Sequence, residues 1–205
     1  MEDILDLYAE AHDPYYPVIC FDEHPMQLID HILQPLPSKP GRPARYDYHY
    51  KRRGTCNLFM HFAPRLAWRH VQVSQRRTIT DFAHQMQWLV DQAFPNALKI
   101  RVVLDNLNTH KIASLYQTFP PDEARRIARK LEFHFTPVHA SWLNMAEIEL
   151  AVLGKQCLNR RIPTLSFLSR EVSMWEADRN SQQHTVQWLF TCENARQKMT
   201  RLYPS

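Results

Sequence analysis

Two apolar segments, each followed by an aspartate, constrain the fold of this chain most strongly. The first reads Pro-Val-Ile-Cys-Phe-Asp and ends at Asp22, and the second runs from Leu98 through Leu104 to Asp105. Apolar runs of this length are typical of strands buried on both faces of a parallel sheet. Because the carboxyl ends of parallel strands meet at one edge, where ligands of open α/β folds bind, we expect Asp22 and Asp105 to lie close together.

The remaining periodicity predicts the other elements of an α/β domain. Alternating apolar residues after Cys56 and again over 67–73 predict an antiparallel strand pair. Helical spacing over 79–93, with Thr78 and Asp81 placed for a capping box, predicts the clearest helix. The other predicted elements are helices at 112–118, 122–131, 144–160, 165–175 and 191–202 and a strand at 131–135. No internal repeat interrupts this order, so we expect a single domain.

Residue counts exclude several kinds of site. Three glycines lie too far apart to form a phosphate-binding loop, which excludes dinucleotide fingerprints and Walker-type loops. Four cysteines without a CxxC pair predict small core residues in a reducing cytoplasm and no zinc site. No apolar run approaches the roughly 18 residues of a membrane span and no leader pattern opens the chain, so we expect neither a membrane protein nor a secreted one. The net charge of +4 permits a polyanionic partner.

A basic insertion is predicted between the first two strands. The segment 35–53 holds four prolines and six basic residues, and Asp47 is its only acid. Tyr46, Tyr48 and Tyr50 alternate within it. Since proline limits flexibility and basic charge suits DNA, we expect a proline-stiffened insertion at about residues 30–53. An ordinary solvated loop is the alternative.

The helix predicted from Asn144 supplies a third carboxylate. At 100° per residue, Glu147 lies on a stripe of apolar and small residues, which we expect to face the sheet. The stripe consists of Leu150, Ala151, Gly154, Cys157 and Leu158. Glu149 points about 200° away from Glu147 on such a helix. We therefore expect Glu147 to converge on the two aspartates, and Glu149 to face solvent and tolerate substitution.

Three carboxylates at the rim of one sheet raise one another's pKa unless a counter-charge is present. Divalent cations supply that charge, and oxygen-only ligands suit Mg²⁺, with Mn²⁺ as a substitute. A carboxylate that bridges two ions about 4 Å apart is used for in-line displacement at phosphorus. The set therefore predicts a two-metal site for phosphodiester cleavage or transfer. The alternative is structural, because an aspartate after a strand is commonly a turn residue and the helix dipole favours a first-turn glutamate.

Four motifs carry a resemblance to a known family. They lie at 18–23 (VICFDE), 46–54 (YDYHYKRRG), 103–111 (VLDNLNTHK) and 139–149 (HASWLNMAEIE). In combination, above all through Asp-Asn-x-x-x-His and Ser-Trp-Leu-Asn-x-x-Glu, they resemble the catalytic domain of bacterial insertion-sequence transposases of the mariner superfamily. The resemblance implies a ribonuclease H-like fold, with a mixed five-stranded sheet flanked by helices. It also implies a DDE triad at Asp22, Asp105 and Glu147.

Further candidate residues surround this triad. The family motif includes Asn106 and His110, which are close enough to Asp105 to reach a metal-bound water or a phosphate, and a capping or loop-tying role is the alternative. Trp142 is a candidate for stacking on a base, with local packing as the alternative. The histidines as a group show no metal-ligand spacing. Phosphate contacts are expected from Arg53, Lys111, Lys155 and Arg160, with plain solvation as the alternative.

The resemblance implies a transposase catalytic core that hydrolyses the ends of a mobile element and joins the 3′-hydroxyl to target DNA. Its expected partners are double-stranded DNA and a second copy of the chain bound on that DNA, contacted through the insertion, in the cytoplasm at the bacterial nucleoid. Relatives carry helix-turn-helix modules ahead of this domain, and we expect residues 1–205 to be a fragment or a split frame without them. DNA binding should then be weak, salt-dependent and nearly blind to sequence. Two alternatives are a ribonuclease H-like nuclease without strand transfer and an inactive DNA-binding or oligomerisation domain.

Overall fold

One mixed sheet forms the centre of the domain. In this computed structural model, which describes residues 1–45 and 47–202, the sheet has five strands in the order β3-β2-β1-β4-β5. They are β1 (Val18–His31), β2 (Tyr50–Ala63), β3 (Trp68–Ser74), β4 (Ile100–Leu104) and β5 (Leu131–Phe135). The first three strands pair antiparallel, β4 runs parallel to β1, and β5 runs parallel to β4. Tyr46, in the predicted insertion, and residues 203–205, at the end of the predicted domain, lie outside the described residues.

Helices cover both faces of this sheet, which confirms the predicted fold class. They are α1 (Glu2–Ala9), α2 (Ile79–Trp88), α3 (Ile112–Thr118), α4 (Pro121–Lys130), α5 (Met145–Leu153), α6 (Leu165–Ser181) and α7 (Cys192–Lys198). Short π-helical turns extend α2 over Leu89–Ala93 and α5 over Gly154–Leu158. Thr78 and Asp81 form the predicted capping box. Among the helices described, none is long and apolar enough to cross a bilayer.

Alternation along β1 divides the core into two layers. Ile19 and Phe21 pack into the cluster formed with α2, α3 and α4. Cys20 belongs to the cluster on the other face, formed with α1, α5, α6 and α7. Because successive side chains of a strand point to opposite faces, Asp22 lies on the same face as Cys20. The first candidate acid therefore faces the layer that contains α5.

The strand that carries Asp22 is longer than its apolar run predicts. We expected β1 to end at Asp22, but it continues to His31. Its partner beyond Asp22 is β2, and the pairing runs from Cys20 opposite Phe62 to His31 opposite Tyr50. The continuous apolar run stops at Asp22 because β1 is then buried only in part, at Met26 and Leu28, and pairing with β2 keeps it extended. The predicted insertion is thus the outer part of a long β-hairpin, whose strands are joined by residues 32–49.

Cys192 departs from the expectation that all four cysteines are core residues. Cys20, Cys56 and Cys157 are buried as expected, and all four thiols are free. Cys192 is partly exposed at the start of α7, and its thiol lies 3.1 Å from Asp6 Oδ1. The reason is that α7 lies at the margin of the core, where Ala195 is its buried residue.

His61 gives the fold a specific pH dependence. Its ring is fully buried on β2, Nε2 lies 3.0 Å from Gln85 Oε1, and Nδ1 has no partner among the described residues. Burial lowers the pKa of His61 to about 3. An unfolded histidine titrates near pH 6.5, so between these values the unfolded chain binds a proton that the folded chain does not.

Stability should therefore fall as the pH drops below about 6.5, by up to about 1.4 kcal/mol per pH unit from this residue. Urea unfolding at pH 7, 6 and 5 measures the slope for the wild type and for His61→Phe, which lacks the titrating group. We expect the slope of the variant to be shallower. Identical slopes would show that His61 is not buried in its neutral form.

Candidate active site

The sheet brings Asp22 and Asp105 together at the carboxyl end of β4. In the parallel pair, Cys20 lies opposite Val103, and the same register continued by two residues places Asp22 beside Asp105. Asp22 follows Cys20, a residue of the α5-side cluster, by two positions and so faces that side of the sheet. Asp105 lies just beyond the end of β4, and its side chain is 36% exposed and reaches His110. The predicted meeting of the two aspartates agrees with this register.

Glu147 approaches the aspartates from α5. It lies in the first turn of this helix and is half-buried. Met145 and Ala146, just before it, are buried in the cluster that also holds Cys20 and Val103. The start of α5 is therefore packed over the strands that carry the two aspartates.

The three carboxylates repel one another. Burial raises the pKa of Asp22, a hydrogen bond from the Glu23 amide opposes this, and the charges of Asp105 and Glu147 raise it further, to about 7. The amide of Glu23 donates to Asp22 Oδ1 over 2.8 Å. Repulsion from both neighbours means that the carboxylates share one region of space.

This donor set suits a hard divalent cation in its chemistry. Carboxylate oxygens are the ligands that Mg²⁺ and Mn²⁺ prefer, and a cation among them would offset the repulsion that raises the pKa of Asp22. Within residues 1–45 and 47–202, no group of three or more His, Cys, Asp or Glu side chains is arranged to hold a metal ion as it stands. The fit therefore rests on the type of donor and on the shared negative charge.

His110 links Asp105 to a fourth carboxylate. Its buried ring lies with Nδ1 2.5 Å from Asp105 Oδ1 and Nε2 3.1 Å from Glu23 Oε1. Burial alone lowers the pKa of His110, but the bonds to Asp105 and Glu23 outweigh it and raise the pKa to about 9. The ring is therefore an imidazolium at neutral pH, which donates both hydrogen bonds and orients Asp105. Asn106, the other candidate from the same motif, is exposed.

Sequence reasoning missed Glu23 and Arg77 as members of this neighbourhood. Glu23 is almost buried, with a side chain 5% exposed, and Arg77 Nη1 lies 3.8 Å from its Oε2. On β1, Glu23 points to the opposite face from Asp22, where His110 receives it. The available signal was its position directly after Asp22 in the first motif.

The expectation that Glu149 faces solvent is wrong. Its side chain is fully buried, and its two oxygens accept hydrogen bonds from Arg179 Nε and Nη2 over 3.0 and 3.1 Å. Arg69 Nε lies 3.1 Å from Glu149 Oε1 as an ion pair without hydrogen-bond geometry. The helical wheel failed because it selected the wrong face: the buried residues of α5 are Met145, Ala146, Glu149 and Leu153, and Ala151 of the predicted stripe is exposed. The two arginines that meet Glu149 come from α6 and β3. Glu149 is therefore a buried structural anion.

The candidate DNA contacts differ in how available they are. Arg53 is paired with Asp30, with Nη2 2.6 Å from Oδ2, and Arg160 is paired with Glu171. Lys111 donates to Asn108 Oδ1 over 3.3 Å, and Lys155 is exposed.

Trp142 packs locally. Its ring is half-buried, stacks on Trp188 with centroids 6.1 Å apart, and meets the Phe190 ring edge-on at 5.4 Å. This packing agrees with the alternative role of Trp142, local packing. Nothing in these ring contacts supports stacking on a base.

Three solved structures share this fold. The crystal structure of the Mos1 mariner paired-end complex with Mn superposes with a TM-score of 0.59 at 13% identity, covering 89% of this chain and 55% of that one. The Mos1 paired-end complex with the left transposon end gives 0.58 at 14% identity, again covering 89% and 55%. The Mos1 strand transfer complex gives 0.59 at 12% identity, covering 89% and 54%. The chain thus spans just over half the length of these transposases, and the expected ribonuclease H-like fold is confirmed.

Sequence comparison identifies the family. No curated protein matches the chain significantly. The family model described as "DDE superfamily endonuclease" matches residues 17–169, a span that includes Asp22, Asp105 and Glu147 and more than half of the chain. The prediction of a DDE catalytic domain is confirmed. The chain belongs to the DDE superfamily of endonucleases.

Proposed function

We propose that this domain is the catalytic core of a bacterial insertion-sequence transposase, which cleaves DNA at the ends of its element and joins the freed 3′-hydroxyl to target DNA. The observation that carries the proposal is the placement of Asp22 beside Asp105 in the β1–β4 register, with Glu147 in the first turn of the helix packed over these strands. Family membership supports the endonuclease activity. The fold shared with the Mos1 strand transfer complex supports the joining step.

In this mechanism Asp22 and Asp105 would hold two Mg²⁺ ions, and Glu147 would complete the ligand set. DDE endonucleases use divalent metals. When bound, the pair of ions would activate the attacking oxygen and stabilise the charge that develops at phosphorus. His110 keeps the Asp105 carboxylate oriented and partly neutralised through its 2.5 Å hydrogen bond. Asn106, exposed next to Asp105, is positioned to meet the phosphate.

The proposed partner is double-stranded DNA, which this domain would hold through its phosphates. Lys111 and Lys155 contribute charge near the site, and Arg53 and Arg160 do so if DNA displaces their present acidic partners. Such contacts carry little sequence information, so recognition of particular ends would come from helix-turn-helix modules outside this domain.

The hairpin formed by β1 and β2 is the proposed contact with a second copy of the chain on DNA. Its outer part carries the predicted insertion, with Tyr48 95% exposed and Tyr50 also exposed. Basic side chains beside exposed aromatic rings suit a surface that meets DNA and protein together. The complex would act in the cytoplasm, at the nucleoid.

Cleavage and joining should depend on Mg²⁺ or Mn²⁺. We expect end-mimicking duplexes to be cut, and pre-cleaved ends to be joined to a plasmid, in either metal. Excess chelator should abolish both reactions, and Ca²⁺ should bind without supporting turnover, because its larger and looser shell misplaces the attacking oxygen. Product sizes on denaturing gels report both steps.

The outcomes of this assay separate the candidate functions. Cleavage without any joined product would make the protein a ribonuclease H-like nuclease rather than a transposase. Full activity in excess chelator would remove the metal mechanism. Asp105→Ala, purified identically, is the control for contaminating nucleases.

A further inference from the structure

We propose that Asn144 is a positioning residue that fixes the spacing between Asp22 and Glu147 by tying β1 to the start of α5. The inference rests on the proposed function of those two acids and extends it to a side chain outside the triad. Asn144 is 2% exposed and lies between the strand of one acid and the helix of the other.

Both ends of the Asn144 amide are used. Its Nδ2 donates to the main-chain oxygen of Phe21 over 2.8 Å, and that carbonyl belongs to the peptide bond that precedes Asp22. Its Oδ1 accepts from the amide of Ala146 over 3.1 Å and so caps α5. The amide of Glu147 in turn donates to the main-chain oxygen of Asn144 over 3.1 Å. One buried side chain therefore connects the backbones next to both acids.

The chemistry of the link calls for asparagine. Among short side chains, its amide offers a donor and an acceptor on a single planar group, whereas aspartate at neutral pH only accepts. A second contact supports the same junction: Tyr8 of α1 donates to the main-chain oxygen of Leu143 over 2.8 Å, and its hydroxyl lies 3.3 Å from Cys20 Sγ. Residues 143 and 144 are thus fastened to residues 20 and 21 of β1.

The site needs such a fastening because its acids come from separate elements. Asp22 lies on β1 and Glu147 in the first turn of α5, so the packing of this helix against this strand sets their spacing. Asp22 and Glu147 are distant in sequence, and the junction at Asn144 is the hydrogen-bonded connection nearest to both. Small displacements of catalytic groups are costly, with a shift of about 1 Å reducing rates by as much as about a hundredfold.

Asn144→Asp tests the role directly. The carboxylate keeps the cap on α5 but cannot donate to Phe21, so β1 and α5 lose their tie while the helix keeps its start. We expect kcat for end cleavage to fall by about a hundredfold, with KM for DNA nearly unchanged. We also expect the variant to need about a tenfold higher Mn²⁺ concentration for half-maximal binding. Water proton relaxation, measured without DNA, reports this binding.

Thr164→Ala is the matched control, because Thr164 caps α6 through the same kind of bond and lies beside Leu28 in the outer part of β1, six residues beyond Asp22. It should lose comparable stability to urea and keep the wild-type kcat and Mn²⁺ affinity. Asn144→Ser is measured alongside in both experiments, because its hydroxyl keeps a cap on α5, is too short to donate to Phe21 and adds no charge beside the triad. It replaces Asn144→Asp if that variant does not fold.

The two readouts separate the possible failures. Wild-type kcat and Mn²⁺ affinity in a folded Asn144 variant overturn the inference. A wild type that binds Mn²⁺ but neither cuts nor joins DNA would remove the proposed function. In that case, weaker Mn²⁺ binding by the Asn144 variant than by the wild type would still support the positioning role.

Discussion

Single replacement of Asp22, Asp105 or Glu147 by alanine should reduce DNA cleavage by about a thousandfold or more. Each carboxylate is proposed to hold the ions that stabilise the transition state, an effect of several kcal/mol. The fold should survive, and Asp22→Ala should be at least as stable as the wild type, because it removes a buried carboxylate whose neighbours repel it. Gel-based cleavage assays and urea unfolding of each variant measure the two effects.

Asp122→Ala is the control for this series. Asp122 is an exposed carboxylate at the start of α4, among the helices on the other face of the sheet, so its loss should leave cleavage unchanged. Cleavage at the wild-type rate by any of the three triad variants would remove that residue from the site.

Glu149→Ala should cost about 3–5 kcal/mol of unfolding free energy. The substitution leaves Arg69 without its anion in a fully buried position, where a guanidinium cannot be hydrated. Burial already lowers the pKa of Arg69, which the charge of Glu149 opposes. Urea unfolding with a constant m-value measures the loss.

Asp30→Ala provides the comparison, because it breaks an ion pair with Arg53 at the surface. Exposed pairs contribute little, so this variant should remain close to the wild type. A Glu149 variant as stable as the Asp30 variant would show that the buried ion pair adds no more to the free energy of unfolding than a surface pair does.

The sequence predicted the elements that obey one simple periodicity. The apolar runs before Asp22 and Asp105 located β1 and β4, and the Thr78 capping box located the start of α2. The two aspartates could be paired because parallel strands bring their ends together. Glu147 stays a prediction, supported by the resemblance to a family motif. The stripe used to select it is not the buried face of α5, because Ala151 is exposed and the buried residues of the helix are Met145, Ala146, Glu149 and Leu153.

What the sequence missed depends on contacts with more than one neighbour. The helical wheel selected the wrong face of α5, so it sent Glu149 to solvent although Arg179 of α6 and Arg69 of β3 meet it there. The outer part of β1 is held by pairing with β2, and its apolar residues, Met26 and Leu28, are too few for the continuous run that marks a buried strand. The second bond of Asn144, to Phe21, joins residues far apart in the chain, which local patterns do not record.

Whether Asp22, Asp105 and Glu147 bind metal ions together is measured by the Mn²⁺ affinity of the triad variants, which needs neither DNA nor turnover. Electron paramagnetic resonance titration of free Mn²⁺ gives the affinity of the wild type and of Asp22→Asn, Asp105→Asn and Glu147→Gln. We expect the wild type to bind Mn²⁺, each triad variant to bind it at least about tenfold more weakly, and Asp122→Asn to bind it like the wild type. Equal Mn²⁺ binding by the wild type and all three triad variants would contradict the assignment of these acids as metal ligands.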